Sequence, residues 1–356
     1  MALRAGRYAS ELRRELMLRS RLWARNWTHV ESYGNPPVIV YSPEDSIKDA
    51  AVKRHGNFFD PTYAAIVERP DWARRLGKIH TGQKTLPKAE AGSGRRWREL
   101  DSSMSSDALL MNVFCTPGVI ESKALRHVLG VEVDEPPVFG WKARVPLKNG
   151  HFDRTEVDMR LGSLLVEAKL TESDFQTNAA VVVEGYRDFD VVFDRELLPR
   201  VPLATKRRRQ AFEFPEDYSQ EFEETRTAAD GPLGITEADG SALLLDTPAY
   251  VAAEASAAEE SGYESYQLVR NALAAYALGC SFCVIHDERR PDLREAWFEV
   301  MAAVKSAEMR VRLKVLTWQE VAAVLPEDLQ EFLDLKYGIV APGRTAFPVL
   351  ETEETE

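Results

Sequence analysis

The sequence predicts a mixed α/β fold, and three observations carry that prediction. Residues 155–161 alternate between polar and apolar side chains, and a second strand-like stretch follows at 164–170 after Gly162-Ser163. Helical spacing recurs on either side of this pair and stops at Gly130 and at Gly279. An apolar strand, Ser281–His286, comes directly after the second of those helices.

The elements follow in chain order. Tyr8, Leu12, Leu16, Arg19 and Trp23 recur at helical spacing and predict a helix over 8–30. Pro36-Pro37 breaks the chain before a short apolar run, Val38 to Tyr41. Residues 44–76 read as mostly helical. Residues 77–106, with Gly92-Ser93-Gly94-Arg95-Arg96, read as a long basic loop. Asp107 to Phe114 is an apolar run. Thr116-Pro117 has the form of a helix opening, and that helix is expected to run to Leu129. Strands are expected at 138–145, 151–161 and 164–170. An insertion over 171–257 carries strand-like runs at Val181–Val183 and near Val191–Phe193, then a charged stretch with Lys206-Arg207-Arg208-Arg209. Next come a helix over about Glu259–Leu278, the strand Ser281–His286, a helix after Pro291 and a strand at Val311–Leu316. The expected organisation is a basic helical region and loop over 1–106, a core over 107–345, and an acidic disordered tail over 346–356.

Composition narrows the class. The chain has 356 residues and is 44% apolar, which suffices for a sizeable core. It holds no run of 18 apolar residues, so no transmembrane helix is expected. The first 30 residues are Arg-rich but include Glu11 and Glu15, which argues against a secretory signal. Three cysteines, Cys115, Cys280 and Cys283, make no disulfide framework, and a soluble cytoplasmic setting is expected. The net charge is −12, but it is unevenly spread. Residues 1–100 carry 19 Lys and Arg against 11 Asp and Glu, so a basic arm sits on an acidic body. Such an arm can neutralise phosphates, although a solvated basic helix face has the same composition.

Chemistry concentrates in the alternating pair. Gly162-Ser163 suits a two-residue hairpin turn with Gly at the positive φ. Opposed residues then add to 325, so Asp158 faces Glu167 and Glu156 faces Lys169. Glu156, Asp158, Arg160, Leu165, Glu167 and Lys169 share one face. Val157, Met159, Leu161, Leu164, Val166 and Ala168 share the other. Facing carboxylates repel, and a divalent ion held by hard oxygen ligands relieves that repulsion. Mg²⁺ suits one or two carboxylates plus water and phosphate. Lys169 lies one strand step further, within reach of a water beside the ion. Ordinary charge pairing on a solvated strand pair is the structural alternative.

The Asp-x₈-Glu-x-Lys spacing across a hairpin resembles the active-site core of the PD-(D/E)xK nuclease superfamily, with its restriction-endonuclease-like αβββαβ order. Val157 stands where the superfamily's name has Pro. The resemblance implies that Asp158 and Glu167 bind the metal, with the Ala168 carbonyl as a further ligand, and that Lys169 is the catalytic lysine. It implies a third acid on the preceding helix, for which Glu121 is the candidate. It also implies a polar stripe on the following helix, and Gln267, Arg270 and Asn271 provide one. Glu-Ala-Lys-Leu at 167–170 with Gln-x-x-Arg-Asn at 267–271 is similar to an uncharacterised bacterial group of restriction-endonuclease-like proteins. The implied activity is metal-dependent phosphodiester hydrolysis with Mg²⁺, or Mn²⁺ in its place, on nucleic acid, foremost duplex DNA. A homodimer is compatible with this, and restriction or defence is the expected setting. The rival is a non-catalytic nucleic-acid-binding or assembly module of the same fold. Cys280 and Cys283 have zinc-like spacing but no second pair, so buried thiols are expected, and His286 is expected to be structural.

Overall fold

A five-stranded sheet forms the centre of the protein: β1 Val138–Lys142, β2 Glu156–Leu161, β3 Leu164–Ala168, β4 Ser281–His286 and β5 Leu313–Thr317. The spatial order is β5-β4-β3-β2-β1. The computed structural model describes residues 2–34, 37–42, 54–79, 97–132, 135–154, 156–203 and 261–345. Strands β1, β2 and β3 run antiparallel, while β4 and β5 run parallel to β3. Gly162 holds a φ of 56° in the turn between β2 and β3. Met159 pairs with Val166, Arg160 with Leu165 and Leu161 with Leu164, which is the expected register.

Helices cover both faces. They are α1 Ala2–Ala24, α2 Asp60–Glu68, α3 Ser106–Phe114, α4 Lys123–Leu129, α5 Tyr266–Leu278, α6 Pro291–Ala303, α7 Trp318–Ala322 and α8 Glu327–Tyr337. One face packs Met159, Leu161, Leu164, Val166, Ala168, Cys283 and Ile285 against leucines of α1, α3, α4 and α8. The other packs Leu165, Phe282 and Val284 against α5 and α6. Val157 joins this second cluster rather than that of Met159 and Leu161. The expected alternation is therefore interrupted at Asp158. Gly140 of β1 lies between the partners of Met159 and Val157 and takes a φ of 61°, a conformation that favours glycine.

Several elements differ from expectation. The first helix ends at Ala24, and His29–Glu31 instead pairs with Ile39–Tyr41 as a small hairpin. The helix expected from Thr116 begins only at Lys123, and the apolar run before it, 107–114, is itself helical as α3. Cys115 ends α3, Gly118 turns the chain at a φ of 81°, and the Ser122 hydroxyl accepts from Leu125 N to start α4. The runs at 181–183 and 191–193 fall in short helices, Ala180–Val183 and Phe189–Val192, whose inward residues pack in the α5-side core. Helix α5 begins at Tyr266 because Ser261–Tyr263 is a strand and Ser265 takes a φ of 56°. Residues 204–260, 80–96 and 346–356 lie outside the described residues, with the charged stretch, most of the basic loop and the acidic tail.

Arginines of the basic first helix are largely used within the chain. Arg19 donates to the Asp334 carbonyl (2.9 Å), Arg13 to the Thr171 carbonyl (3.0 Å), and Arg21 pairs with Glu31 (2.9 Å).

Candidate active site

The β2–β3 ladder extends to Met159 and Val166 and then opens. Beyond that point the Asp158 carboxylate takes over, accepting a hydrogen bond from Ala168 N at 2.8 Å. In a strand, the N–H and C=O of one residue point to the same edge, so the Ala168 carbonyl also faces Asp158. Glu167 is buried. Its Oε1 meets Lys169 Nζ at 2.8 Å, and its Oε2 accepts from Asn271 Nδ2 at 2.7 Å. Lys169 Nζ also donates to Gln267 Oε1 at 3.0 Å. Asp158, Glu167, Lys169, Ala168 and Gln267 are thus brought together at one strand end.

Helix α5 supplies Gln267 and Asn271 because they are four residues apart on one face. Its start is fixed by Phe175 and Gln176, whose carbonyls accept from Gln267 N and Tyr266 N. Gln176 and Ser265, which meet there, are the described non-glycine residues with positive φ. Arg270 pairs with neither Glu264 nor Asp287. It donates to the Glu156 carbonyl (3.3 Å) and lies over the Tyr266 ring. After Lys169 the chain is held by buried Arg290, which donates to the carbonyls of Glu172 (2.7 Å) and Ser173 (3.1 Å). Trp318 Nε1 fixes the Lys169 carbonyl at 2.9 Å.

Glu121 does not join this cluster. It is exposed in the turn between α3 and α4. The third acid is Asp107, in the first turn of α3, where a carboxylate is favoured by the helix dipole. After burial and Glu167, it too helps raise the Asp158 carboxyl. Two cations also enter the site from a short helical turn at Arg74–Gly77 and its end. Arg75 bridges Asp107 (2.7 Å) and Glu156 (2.7 Å), and Lys78 Nζ reaches Asp107 at 3.0 Å. These three residues were missed. Ser105 before Asp107 and an apolar run is an N-cap signal that marks α3, and the Ser105 hydroxyl does accept from Ala108 N. No local pattern links Arg75 to a strand 81 residues later.

Electrostatics divide the carboxylates. Burial pushes Glu156 up, but Arg75 and Lys78 outweigh it and hold the carboxyl below its ordinary range. Asp158 is different. Burial, Glu167 and Asp107 together raise its carboxyl well above the usual range, and among the described residues no ion pair forms with it. Burial lowers Lys169, but Glu167, Glu172 and Asp158 outweigh burial and hold it as an ammonium. Held as an ammonium, Lys169 Nζ has no lone pair free to take a proton.

These residues fit a divalent cation by donor chemistry. Hard oxygens of Asp158, Glu167 and Ala168 converge on a region with more acid than base, and Asp158 lacks a cationic partner. Among the described residues, no group of three or more His, Cys, Asp or Glu side chains is drawn together as ligands. An ionised carboxylate has about four lone-pair sites, so Glu167 could meet an ion while keeping Lys169 and Asn271.

The remaining expectations are structural. Cys280 and Cys283 are buried free thiols that pack in opposite cores, and burial pushes Cys283 up to about 12. His286 is buried, with Nδ1 on the Asp287 carbonyl at 2.8 Å. Among the described residues, no helix is long and apolar enough to cross a membrane.

No curated protein and no solved structure gives a significant match to the chain. One family model, described as restriction endonuclease associating with ARP, matches residues 18–338, which span the sheet, the helices on both faces and the Asp158–Glu167–Lys169 strand end. The chain belongs to this restriction-endonuclease-like family.

Proposed function

We propose that the protein is a metal-dependent nuclease that hydrolyses phosphodiester bonds in DNA, with its chemistry at the open end of β2 and β3. The observation that carries this reading is Asp158: a carboxylate crowded by Glu167 and Asp107, without an ion pair, beside a lysine held as an ammonium. Such crowding is costly unless a cation is due to arrive. Asp158, Glu167 and the Ala168 carbonyl would hold Mg²⁺, or Mn²⁺ in its place, with Asp107 at the edge of the set. When bound, the ion supplies Lewis acidity toward phosphate and water. Lys169 then faces the charge that builds on the phosphate. Gln267 and Glu167 hold its Nζ on two sides, so the ammonium is placed before the reaction begins. Asn271 keeps Glu167 oriented.

The test is cleavage of duplex DNA by the purified protein with Mg²⁺ and with EDTA, beside calorimetric Mn²⁺ titration. The parent should nick or cut with Mg²⁺ alone. Asp158→Ala should lose both cleavage and Mn²⁺ binding. It should melt higher than the parent without metal, because the repulsion with Glu167 and Asp107 is relieved. A parent that binds Mn²⁺ no better than Asp158→Ala would sink this assignment.

A second reading has one specific observation in its favour. Both Glu167 oxygens are already engaged by Lys169 and Asn271, as in a settled structural ion pair. The family's description also speaks of association. On that reading the protein is a non-catalytic nucleic-acid-binding or assembly module, and no divalent ion changes its melting temperature.

A further inference from the structure

We propose that Arg75 and Lys78 are resident counter-charges of this site: they occupy Asp107 and Glu156 while no divalent cation is bound, and turn to substrate phosphate once one is. This rests on the nuclease reading above. The cluster holds Asp107, Glu156, Asp158 and Glu167, with Glu99 at its edge, against three ion-paired cations, Arg75, Lys78 and Lys169. Two of the three cations come from residues 74–78, outside the hairpin and helix that build the rest of the site.

Arg75 is poorly served where it rests. Its two terminal nitrogens go to different carboxylates, so neither pair is the two-point arrangement that makes arginine strong. Its side chain is nine-tenths buried, and among the described residues its Nε has no hydrogen-bond partner. A buried donor left unpaired carries a penalty that a phosphate oxygen would remove. The strand beneath it is shaped for the guanidinium. A Cβ at Gly140 would collide with Arg75, so glycine opens the path from Arg75 to Glu156. Lys78 is the looser of the pair. It is about one-third exposed and shared among Asp107 (3.0 Å), Glu156 (3.4 Å) and Glu99 (3.4 Å). It is tethered just beyond by Glu99 N on its own carbonyl (2.8 Å) and the Ile79–Arg98 bridge.

The chemistry follows from charge exchange. A divalent ion beside Asp158 makes nearby cations unfavourable and leaves Asp107 and Glu156 less in need of them. A guanidinium and an ammonium freed at that edge are suited to phosphate, the first as a planar fork and the second as a point charge. The same two residues would then hinder the ion when no substrate is present and bind the substrate when the ion is in place.

The test uses the full chain and Mn²⁺ alone, followed by a duplex-binding assay in Ca²⁺. Arg75→Gln with Lys78→Gln should bind Mn²⁺ about tenfold more tightly than the parent, because two competing cations are gone. The same double variant should bind duplex DNA at least about tenfold more weakly, since two phosphate contacts are gone. Arg75→Lys with Lys78 intact should return Mn²⁺ affinity to the parent's. A purely structural role predicts the opposite sign, with weaker Mn²⁺ binding from a loosened site. Equal or weaker Mn²⁺ binding by the double variant would overturn the inference, and so would unchanged duplex affinity. If the double variant does not fold, Lys78→Gln alone carries the same test with the same signs. Failure of the nuclease reading looks different: parent and Asp158→Ala would then bind Mn²⁺ alike. If Asp158→Ala loses Mn²⁺ while the double variant gains nothing, only the counter-charge role falls.

Discussion

Lys169 and Lys336 are both buried, on opposite sides of the central sheet, and their surroundings differ in kind. Lys169 faces α5 with Glu167 and Gln267 on its Nζ, and nearby carboxylates hold it as an ammonium in spite of burial. Lys336, on α8, has no carboxylate among its partners. Its Nζ meets the Gly56 carbonyl (3.1 Å) and Asn57 Oδ1, and lies over the rings of Tyr41 (4.7 Å), Tyr337 (5.2 Å) and Phe332 (5.8 Å). Burial alone pushes it well below the ordinary lysine range. One lysine sits in charged company that can be exchanged. The other is a neutral-acceptor clamp, joining the 55–57 turn to the C-terminal helix. Asn57 extends that clamp by donating to the Leu100 and Ser102 carbonyls. Burial alone therefore does not single out a lysine here; of these two, Lys169 is the one accompanied by carboxylates and an open strand end.

The sharpest break of this comparison is a pair of matched substitutions. Lys169→Met should lower DNA cleavage about 10²–10³-fold, the usual loss when one group facing transition-state charge is removed. Lys336→Met should leave cleavage within about twofold below the melting transition, because buried ionic groups are often replaced by apolar ones of like volume without loss. Single-turnover assays on one duplex, run well below both melting temperatures, decide it. Equal losses in the two variants would mean that Lys169 has no chemical distinction. Lys169→Ala removes the same buried side chain. Its burial against Glu167 implies a lower melting temperature as well, since Glu167 is left buried with Asn271 alone.

The two lysines should also differ in how stability depends on pH. For Lys336 the folded state binds its proton less well than the unfolded chain does. Stability therefore rises with pH below the ordinary lysine value of 10.5, where the unfolded state holds the extra proton. The slope from this one group is at most about 1.4 kcal/mol per pH unit. For Lys169 the sign reverses and the window moves. Its contribution is complete below 10.5 and is lost only as pH rises above that. Urea unfolding of parent and Lys336→Met from neutral to moderately alkaline pH should show a shallower rise in the variant. Identical slopes would place the charge of Lys336 in both states and undo the contrast.

Half of the contrast was visible in the sequence. Lys169 could be placed because Gly162-Ser163 fixes the hairpin and the alternation fixes which residues share a face. Gln267 and Asn271 came from the resemblance, which implies a polar stripe on the helix after the hairpin. The elements from α5 to β5 were legible too, apart from where α5 starts, since glycine at a left-handed φ ends α5 and an apolar strand begins at once. Asp107 was not. The break at 115–122 looked like a helix start from Thr116-Pro117, so the third acid was sought one helix too late, at Glu121. Arg75 and Lys78 were hidden for another reason. Ion pairs across 81 and 29 residues leave no periodicity, and the basic composition of residues 1–100 suggested solvent or DNA, not the inside of an acidic site. Lys336 was invisible because one lysine in an amphipathic helix reads as surface until its neighbours are known.

The smallest effect expected tests what holds Lys169 in place. Gln267 Oε1 accepts from Lys169 Nζ at 3.0 Å while Glu167 Oε1 lies at 2.8 Å. Removing the amide leaves the ion pair intact, so the ammonium remains charged but gains freedom about the Glu167 contact. A hydrogen bond to a charged group is worth about 1.5–3 kcal/mol, but water can replace part of it at a partly open site. Gln267→Ala should therefore lower kcat about tenfold, near the lower end of that range. KM and Mn²⁺ affinity should stay close to the parent's, because Gln267 belongs to neither the carboxylate set nor the Arg75–Lys78 pair. Gln267→Glu restores an acceptor at the same reach and should recover most of kcat, with tighter Mn²⁺ binding from the added charge. Steady-state kinetics on a single duplex, with calorimetry of each variant, separate these outcomes. A fall in Mn²⁺ affinity with unchanged kcat would mean that Gln267 supports the ion and not Lys169. The difference between the two lysines would then lie in Glu167 alone.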